Sequence, residues 1–371
     1  MLLARKGRRV ALVDRASFPS DTMSTHFLWP KGAARLESWG LRSRLEDLGC
    51  EPIRQIVFDP GVAQIVGSPP PVEGVTECYC PRRTILDALL VDAAVEAGAE
   101  LIERFVVSDL CFSEGRVVGI GGHQRGSPSA TSTLDAHVVV GADGLHSTVG
   151  DLVGAPRYRE SPPMTCVYYS YWSGIPERRA SFHAREKQLV LIWPTNGDLT
   201  CVYVAWPVGE YPRVKADLEA RFRTALGTVP GLTDRLAAGR REQRFTGTRD
   251  LPNMYRVSAG PGWALVGDAG HHKDPSTGMG ISDAFTAADL LAKAIDDGLS
   301  GRREMDDALA DYKIQRDAFT ENGFQLTLRT AGLTPPSVRL EELYRRAAEQ
   351  PELAEPVFGV LAGSSPLTDL Q

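Results

Sequence analysis

The chain of 371 residues lacks several things that would otherwise direct its reading. No apolar run approaches the ~20 residues a bilayer span needs, so a transmembrane segment is not expected. The start MLLARKGRR is too short and too quickly charged for a signal peptide. None of the six cysteines forms a CxxC pair. Cys78 and Cys80 stand two apart, as on one strand face, not as in a zinc knuckle. A reduced cytoplasmic protein is the expectation. There is no basic excess either: 41 Lys and Arg against 47 Asp and Glu leave a net charge of −6. That disfavours a nucleic-acid or anionic-membrane binder. Arg240, Arg241 and Arg244 form a local basic group that reads as a solvated loop. Internal repeats, a nucleophile triad and a metal cluster are all missing. The adjacent His271 and His272 sit in a strand-like segment and point to opposite sides, so no shared metal is expected. Finally, no Gly-x-Gly-x-x-Gly turn occurs in the chain.

What is present concentrates in Ala264 to Ala284, ALVGDAGHHKDPSTGMGISDA. A short apolar run ends at Gly267-Asp268. A turn with Pro275, Gly278 and Gly280 follows, and a helix opens at Ser282-Asp283. The order is strand, carboxylate, backbone-exposing loop, helix N-terminus. Open α/β sheets bind ligands at such an edge, and helix N-termini favour electron-rich oxygens.

Other segments repeat this logic. Val10 to Val13 reads as a buried strand after a short helix closed by Gly7, with Asp14 and Arg15 at its end. Arg83 to Ala97 has apolar residues at helical spacing, with Arg82 and Arg83 in its first turn, where arginine does not help the helix dipole. Glu100 to Val107 is another strand. Val117 to Ile120 and Leu134 to Val140 frame a polar hairpin, and Val138 to Val140 runs into Gly141-Ala142-Asp143-Gly144. From Tyr158 to Pro207 the pattern turns β-rich and aromatic, with an Asn196-Gly197 hairpin signal. Tyr168, Tyr169, Tyr171, Trp172, Trp193 and Trp206 read mainly as sheet core, with a substrate pocket as the alternative. Arg213 to Leu226 is expected to be one helix across that sheet. Ser282 to Asp297 and Met305 to Arg329 follow as helices, then a proline-broken tail.

In this order the four segments resemble the flavin monooxygenases of the p-hydroxybenzoate hydroxylase fold, over roughly residues 1 to 300. The resemblance implies an α/β, Rossmann-like FAD-binding domain, an antiparallel β-sheet substrate domain and a C-terminal helical tail. Its parts are FAD-binding 1–66, 80–157 and 256–300, substrate domain 67–79 and 158–255, and helical region 301–371. The family's first strand and glycine loop are missing, so an N-terminally truncated form is expected, with pyrophosphate binding in question.

The resemblance implies these cofactor contacts: Asp14 and Arg15 at the ribose, one of Arg82 and Arg83 at the pyrophosphate and ribityl region, and the Val107 backbone at adenine. Asp143 and Gly144 would brace the pyrophosphate, although GADG alone signals only a turn. Asp268 would meet the ribityl hydroxyls. Pro275 and Gly278-Met279-Gly280-Ile281 would lie against the flavin ring. No catalytic residue is fixed. His26 reads either as a flavin or substrate contact or as a hydrogen-bonded loop histidine, and His271 either as a flavin-edge or as a structural residue.

The implied activity is NAD(P)H-dependent hydroxylation of a small, aromatic or polyketide-like molecule with O2, through a flavin hydroperoxide. NADH and NADPH stay open as reductant. Geranylgeranyl-type reductases and flavin halogenases share the scaffold. The sequence Tyr171-Trp172-Ser173-Gly174-Ile175-Pro176 meets their signatures only in part. A truncated, flavin-free product is the non-enzymatic alternative.

Overall fold

The computed structural model describes residues 1–175 and 177–370. Pro176, the last residue of the partial halogenase-like signature, lies outside them, as does Gln371. The fold is mixed α/β with a C-terminal helical region, as expected.

The largest layer is an eight-stranded sheet. Its centre is antiparallel: Thr165–Ser173, Leu199–Pro207, Gln188–Thr195 and Ala180–Arg185. Asn196-Gly197 makes the hairpin, with Gly197 at φ +71°. Ile56–Asp59 and Ile65–Gly67 extend the far edge, the former parallel to Ala180–Arg185. The boundary expected at 66 therefore falls inside a strand of this sheet.

Side chains alternate across each strand, and both faces are covered. Cys166, Val190, Ile192, Val202, Val204 and Trp206 meet Phe222, Leu226, Leu232 and Leu236 of the covering helices. Those helices correct one expectation. The span 213–226 is two helices, Tyr211–Ala216 and Leu218–Leu226. Asp217 breaks the first at φ −145° and caps the second through the Ala220 N–H. An aspartate that can bond its own downstream backbone favours a cap over a helix interior.

The opposite face carries Val167, Tyr169, Tyr171, Phe182, Leu191, Trp193 and Tyr203. It packs on Phe27 and Trp29, which lie in the segment before the helix Pro30–Ser38. Phe27 meets Trp29, Phe182 and Trp193 with ring centroids 4.9, 5.4 and 5.4 Å apart.

Outside the large sheet, the parallel strands are short and lie in two groups. Ala11–Val13 pairs with Glu100–Ile102. Val139–Gly141 pairs with Trp263–Leu265, beside Ala259–Gly260. The strand expected to be buried at Val10 to Val13 is not. Ala11 is exposed, and Leu12 and Val13 are half-buried. One pairing partner on one edge leaves the other edge open among the described residues, and a strand with an open edge buries little.

Helices Gly280–Leu299 and Met305–Ala331 back the second group, and Val338–Glu349 and Pro351–Leu361 cover the Ile65–Gly67 edge. Among the described residues no helix is long and apolar enough to cross a membrane.

Phe182 joins both layers, so Phe182→Ala removes contacts that nothing nearby can replace. The expected loss is about 3–5 kcal/mol of unfolding free energy, read from urea denaturation. A loss under about 1 kcal/mol would show that this seam does not hold the layers together.

Candidate active site

The strand Trp263–Leu265 ends in a turn in which Gly267 stands at φ +61°. A Cβ there would be strained, and glycine lets the chain swing out and present Asp268. Asp268 is exposed and lies in the first turn of the short helix Gly267–Ala269. The segment that follows is pinned from both sides. Asp274 accepts from Thr165 Oγ1 at 2.6 Å and from the Ser276 N–H at 3.0 Å, and its own N–H donates to Asn253 Oδ1 at 2.7 Å. Burial pushes the Asp274 carboxyl up, against the opposing Thr165 bond. Lys273 and Asp283 form a buried ion pair, with the Lys31 amine 3.8 Å from the same carboxylate. Asp283 also lies in the first turn of Gly280–Leu299, where negative charge suits the helix dipole.

Pro275, Gly278, Met279, Gly280 and Ile281 are thus held in one rigid turn. Gly278 is left-handed at φ +65° against the Phe27 side chain, and Met279 is buried. Gly280 is exposed, and a Cβ placed on it would meet nothing within 4 Å. The turn therefore offers open backbone at a helix N-terminus, beside a carboxylate. A cavity of about 20 Å³ behind it, touched by Asp268, His271, Lys273 and Arg316, has room for about one water molecule. A cofactor must lie on the open side.

The other expected residues are placed as follows. Asp14 Oδ1 accepts from the Ala16 N–H at 2.7 Å, and Arg15 is exposed. Asp143 spends both oxygens on its own turn, accepting from Ser147 Oγ at 2.6 Å and the Val149 N–H at 3.0 Å, with Gly144 at φ +78°. Val107 is half-buried in a ladder opposite Gly122. Arg83 donates to Asp87 at 2.6 Å. Arg82 turns the other way. Its guanidinium carbon sits 4.7 Å from the centre of the Tyr171 ring, and it reaches Asp21 at 3.4 Å.

His26 lies in the same corner. It is fully buried, left-handed at φ +61°, and its Nε2 is 2.5 Å from Tyr171 Oη. Its ring also meets Tyr169 edge-on, centroids 5.7 Å apart. Burial lowers the His26 pKa to about 3, helped by Arg83 and then Arg82. Left-handed non-glycine residues are uncommon and cluster at functional sites.

His271 is elsewhere, tilted against Tyr255 with ring centroids 4.4 Å apart and near Phe324. Burial keeps it neutral by pulling its pKa well below the ordinary value. His272 bonds the Pro252 carbonyl. The two candidate histidines are therefore not brought together.

Sequence reasoning missed Tyr171 as the His26 partner, the Lys273–Asp283 pair and Arg316. Arg316 is 2% exposed and donates to the Gly270 and Arg256 carbonyls, tying Met305–Ala331 to the turn. No periodicity in the sequence relates any of these pairs.

A carboxylate and a helix N-terminus stand together at a parallel-sheet edge, the place where open α/β sheets bind ligands. The comparisons give the cofactor. The family described as FAD binding domain matches residues 1–327. Menaquinone reductase of Mycolicibacterium smegmatis is 29% identical over 80% of this chain and 72% of that protein. The 6-methylpretetramide 4-monooxygenase of Streptomyces rimosus is 26% identical over 85% of this chain and 76% of its own length. Among solved structures, the myxobacterial chondrochloren halogenase CndH superposes with a TM-score of 0.81 at 20% identity, covering 100% of this chain and 94% of that one. The chain belongs to the FAD binding domain family. It is an enzyme of an FAD-dependent oxidoreductase family whose members include monooxygenases, reductases and halogenases.

The buried His26 has a consequence for stability. Unfolding restores an ordinary histidine pKa of about 6.5, so the unfolded chain takes up a proton that the folded chain refuses. Stability contributed by the neutral ring is present above about pH 6.5 and is lost as pH falls toward about 3, at up to about 1.4 kcal/mol per pH unit. His26→Asn, which tolerates the left-handed backbone, should lose less stability than the parent between pH 7 and 5 in urea unfolding. Equal losses would mean that His26 is not buried neutral.

Proposed function

We propose that this enzyme is an NAD(P)H-dependent FAD monooxygenase that hydroxylates a small aromatic or polyketide-like molecule with O2. The observation that carries the reading is the apposition of two surfaces. The Thr277–Gly278 turn lies against the segment Phe27–Trp29, and the same segment packs on the aromatic sheet face.

The residues fit FAD. Asp268 is available to accept from ribityl hydroxyls. The Gly280 and Ile281 N–H groups belong to the first turn of the helix, where negative charge on a reduced ring is stabilised. The side-chain-free Gly280 surface allows close approach, with Pro275 and Met279 firming the turn behind it. Arg83 is assigned to the phosphate region, Asp14 and Arg15 to the ribose, the Val107 backbone to adenine, and Asp143 with Gly144 to shaping the turn beside the phosphates.

FAD supplies the redox chemistry, taking electrons from NADH or NADPH and activating O2. The protein's part is to bind, orient and keep water out. Tyr169, Tyr171 and Trp193 are all buried and keep water out of the aromatic sheet face. The six cysteines are all thiols, five of them buried, which supports a reducing, cytoplasmic setting.

A reductase reading is favoured by the relatives, which include menaquinone reductase at 29% identity and a digeranylgeranylglycerophospholipid reductase at 27%. Substrate-stimulated NAD(P)H oxidation that consumes O2 supports the monooxygenase. Oxidation without O2 uptake supports the reductase, and dependence on added halide supports a halogenase.

Asp268→Ala should weaken FAD binding about tenfold or more, the loss of hydrogen bonds to a charged group, in a titration followed by flavin fluorescence. Unchanged affinity would remove Asp268 from the cofactor site.

A further inference from the structure

Charge is unevenly placed along the chain. From Tyr211 to Asp250 there are nine Lys and Arg against five Asp and Glu, a net charge of +4. The rest of the chain holds 32 against 42, a net charge of −10. All nine cations are exposed. They lie on the helices Tyr211–Ala216, Leu218–Leu226 and Leu232–Ala238 and on the segment that follows. Arg240 and Arg241 are not in the loop their sequence suggested. They form a short strand paired with Ser173 and Trp172 at the rim of the large sheet.

These residues form one surface. Arg241 pairs with Glu219 at 2.6 Å, joining the rim strand to the helix Leu218–Leu226. At the same place Phe245 meets Phe222 with ring centroids 4.6 Å apart, and the Arg241 guanidinium lies 4.4 Å from the Phe245 ring centre. Arg249 lies 4.8 Å from the Tyr211 ring centre, which ties the end of the segment to the first helix. Arg235 pairs with Glu177, which brings the exposed Arg178 and Arg179 to the margin.

A solvated face is the ordinary fate of exposed charge, and an arginine on a sheet edge blocks unwanted strand pairing. That accounts for Arg240 and Arg241. It does not account for Arg221 and Arg223 on a helix, or for Arg244, none of which has a carboxylate in ion-pair reach among the described residues. Like charges gathered in excess repel one another, and exposed pairs return only about 0–1 kcal/mol each. Eight of the nine cations are arginine, which is enriched at protein interfaces where lysine is depleted. Two of them lie over half-buried aromatic rings, the other enriched type. The surroundings narrow the partner further. Among the described residues no exposed large hydrophobic side chain lies between 177 and 250, so this face has nothing to insert into a bilayer. A long polyanion such as a nucleic acid would run onto the remaining net −10. An acidic protein of domain size would meet the basic face alone.

We propose that the face built from these three helices and the rim strand docks an acidic protein, whose carboxylates meet Arg221, Arg223, Arg244 and Arg249. Arginine–carboxylate pairing supplies the recognition, and the field of the whole face draws the partner in. The partner lies on the helix-covered side of the large sheet, opposite the aromatic side that carries Tyr169 and Tyr171. Docking here leaves the Asp268–Gly280 edge free and is independent of which reaction the flavin performs.

The test is fluorescence anisotropy of the full chain with a labelled helical peptide rich in Glu, and with the same peptide carrying Gln at every Glu. The Glu peptide should bind about tenfold tighter than the Gln peptide at low salt, and the difference should shrink as salt rises to the physiological range. Reversing three exposed cations of the face together, Arg221→Glu, Arg223→Glu and Arg244→Glu, should weaken the Glu peptide about tenfold or more. Reversing three exposed cations elsewhere, Arg9→Glu, Arg339→Glu and Arg346→Glu, changes the net charge equally and should leave binding within about twofold. Urea unfolding checks that each variant folds like the parent, and if the first triple variant does not fold, Arg244→Glu decides alone. Equal binding of the two peptides, or equal losses in the two triple variants, overturns the proposal. Tighter binding to phosphatidylserine vesicles or to a DNA duplex than to the Glu peptide overturns it in favour of a membrane or a nucleic acid.

Discussion

The segment Phe27-Leu28-Trp29 holds the molecule's two halves together. Its rings are buried in the aromatic face of the large sheet. The Trp29 indole N–H donates to the Thr277 carbonyl at 2.9 Å, and the Trp29 backbone N–H donates to Ser282 Oγ at 3.2 Å. Leu28 exchanges both backbone bonds with Tyr79, at 2.8 and 3.0 Å. One short stretch thus fixes the distance between the sheet and the Pro275–Gly280 turn. His26 immediately precedes it, and its buried, left-handed geometry is a consequence of that anchoring. The helix that follows packs just as closely: a Cβ on Gly32 would lie 2.7 Å from Ser282 Oγ.

From that constraint the chemistry follows in layers. The turn gives open backbone and a carboxylate, and the sheet gives a dry aromatic wall. Buried charges brace the turn from beneath: Lys273 with Asp283, and Arg316 on two carbonyls. Buried charges of this kind are costly unless fully paired, and here they leave little freedom for the turn to move. A preorganised cofactor edge is what flavin chemistry asks of a protein.

Much of this was legible in the sequence, and for physical reasons. The Gly267-to-Asp283 stretch is contiguous, so its glycines, proline and carboxylates declare a strand–turn–helix edge directly. The sheet strands alternate strongly, and Asn196-Gly197 announces its hairpin. What stayed hidden depends on contacts between distant residues. His26 and Tyr171 are 145 positions apart, and nothing in either segment's periodicity pairs them. The open edge of Ala11–Val13 was misjudged as buried because four apolar residues look alike in a central and an edge strand. The break at Asp217 was missed because apolar spacing runs on either side of it. Arg82 and Arg83 could not be told apart in sequence, and only the partners each side chain meets distinguish them.

The central claim is that cofactor and substrate meet at the seam between the Asp268–Gly280 edge and the Tyr171 face of the sheet. A crystal structure of the chain with FAD and a bound phenol tests it most directly. The account predicts the flavin ring against Gly278–Gly280, the ribityl chain at Asp268, and the phenol on the Tyr171 side of the sheet. A flavin lying away from the Gly278–Gly280 turn, or a phenol bound on another face of the sheet, would contradict it.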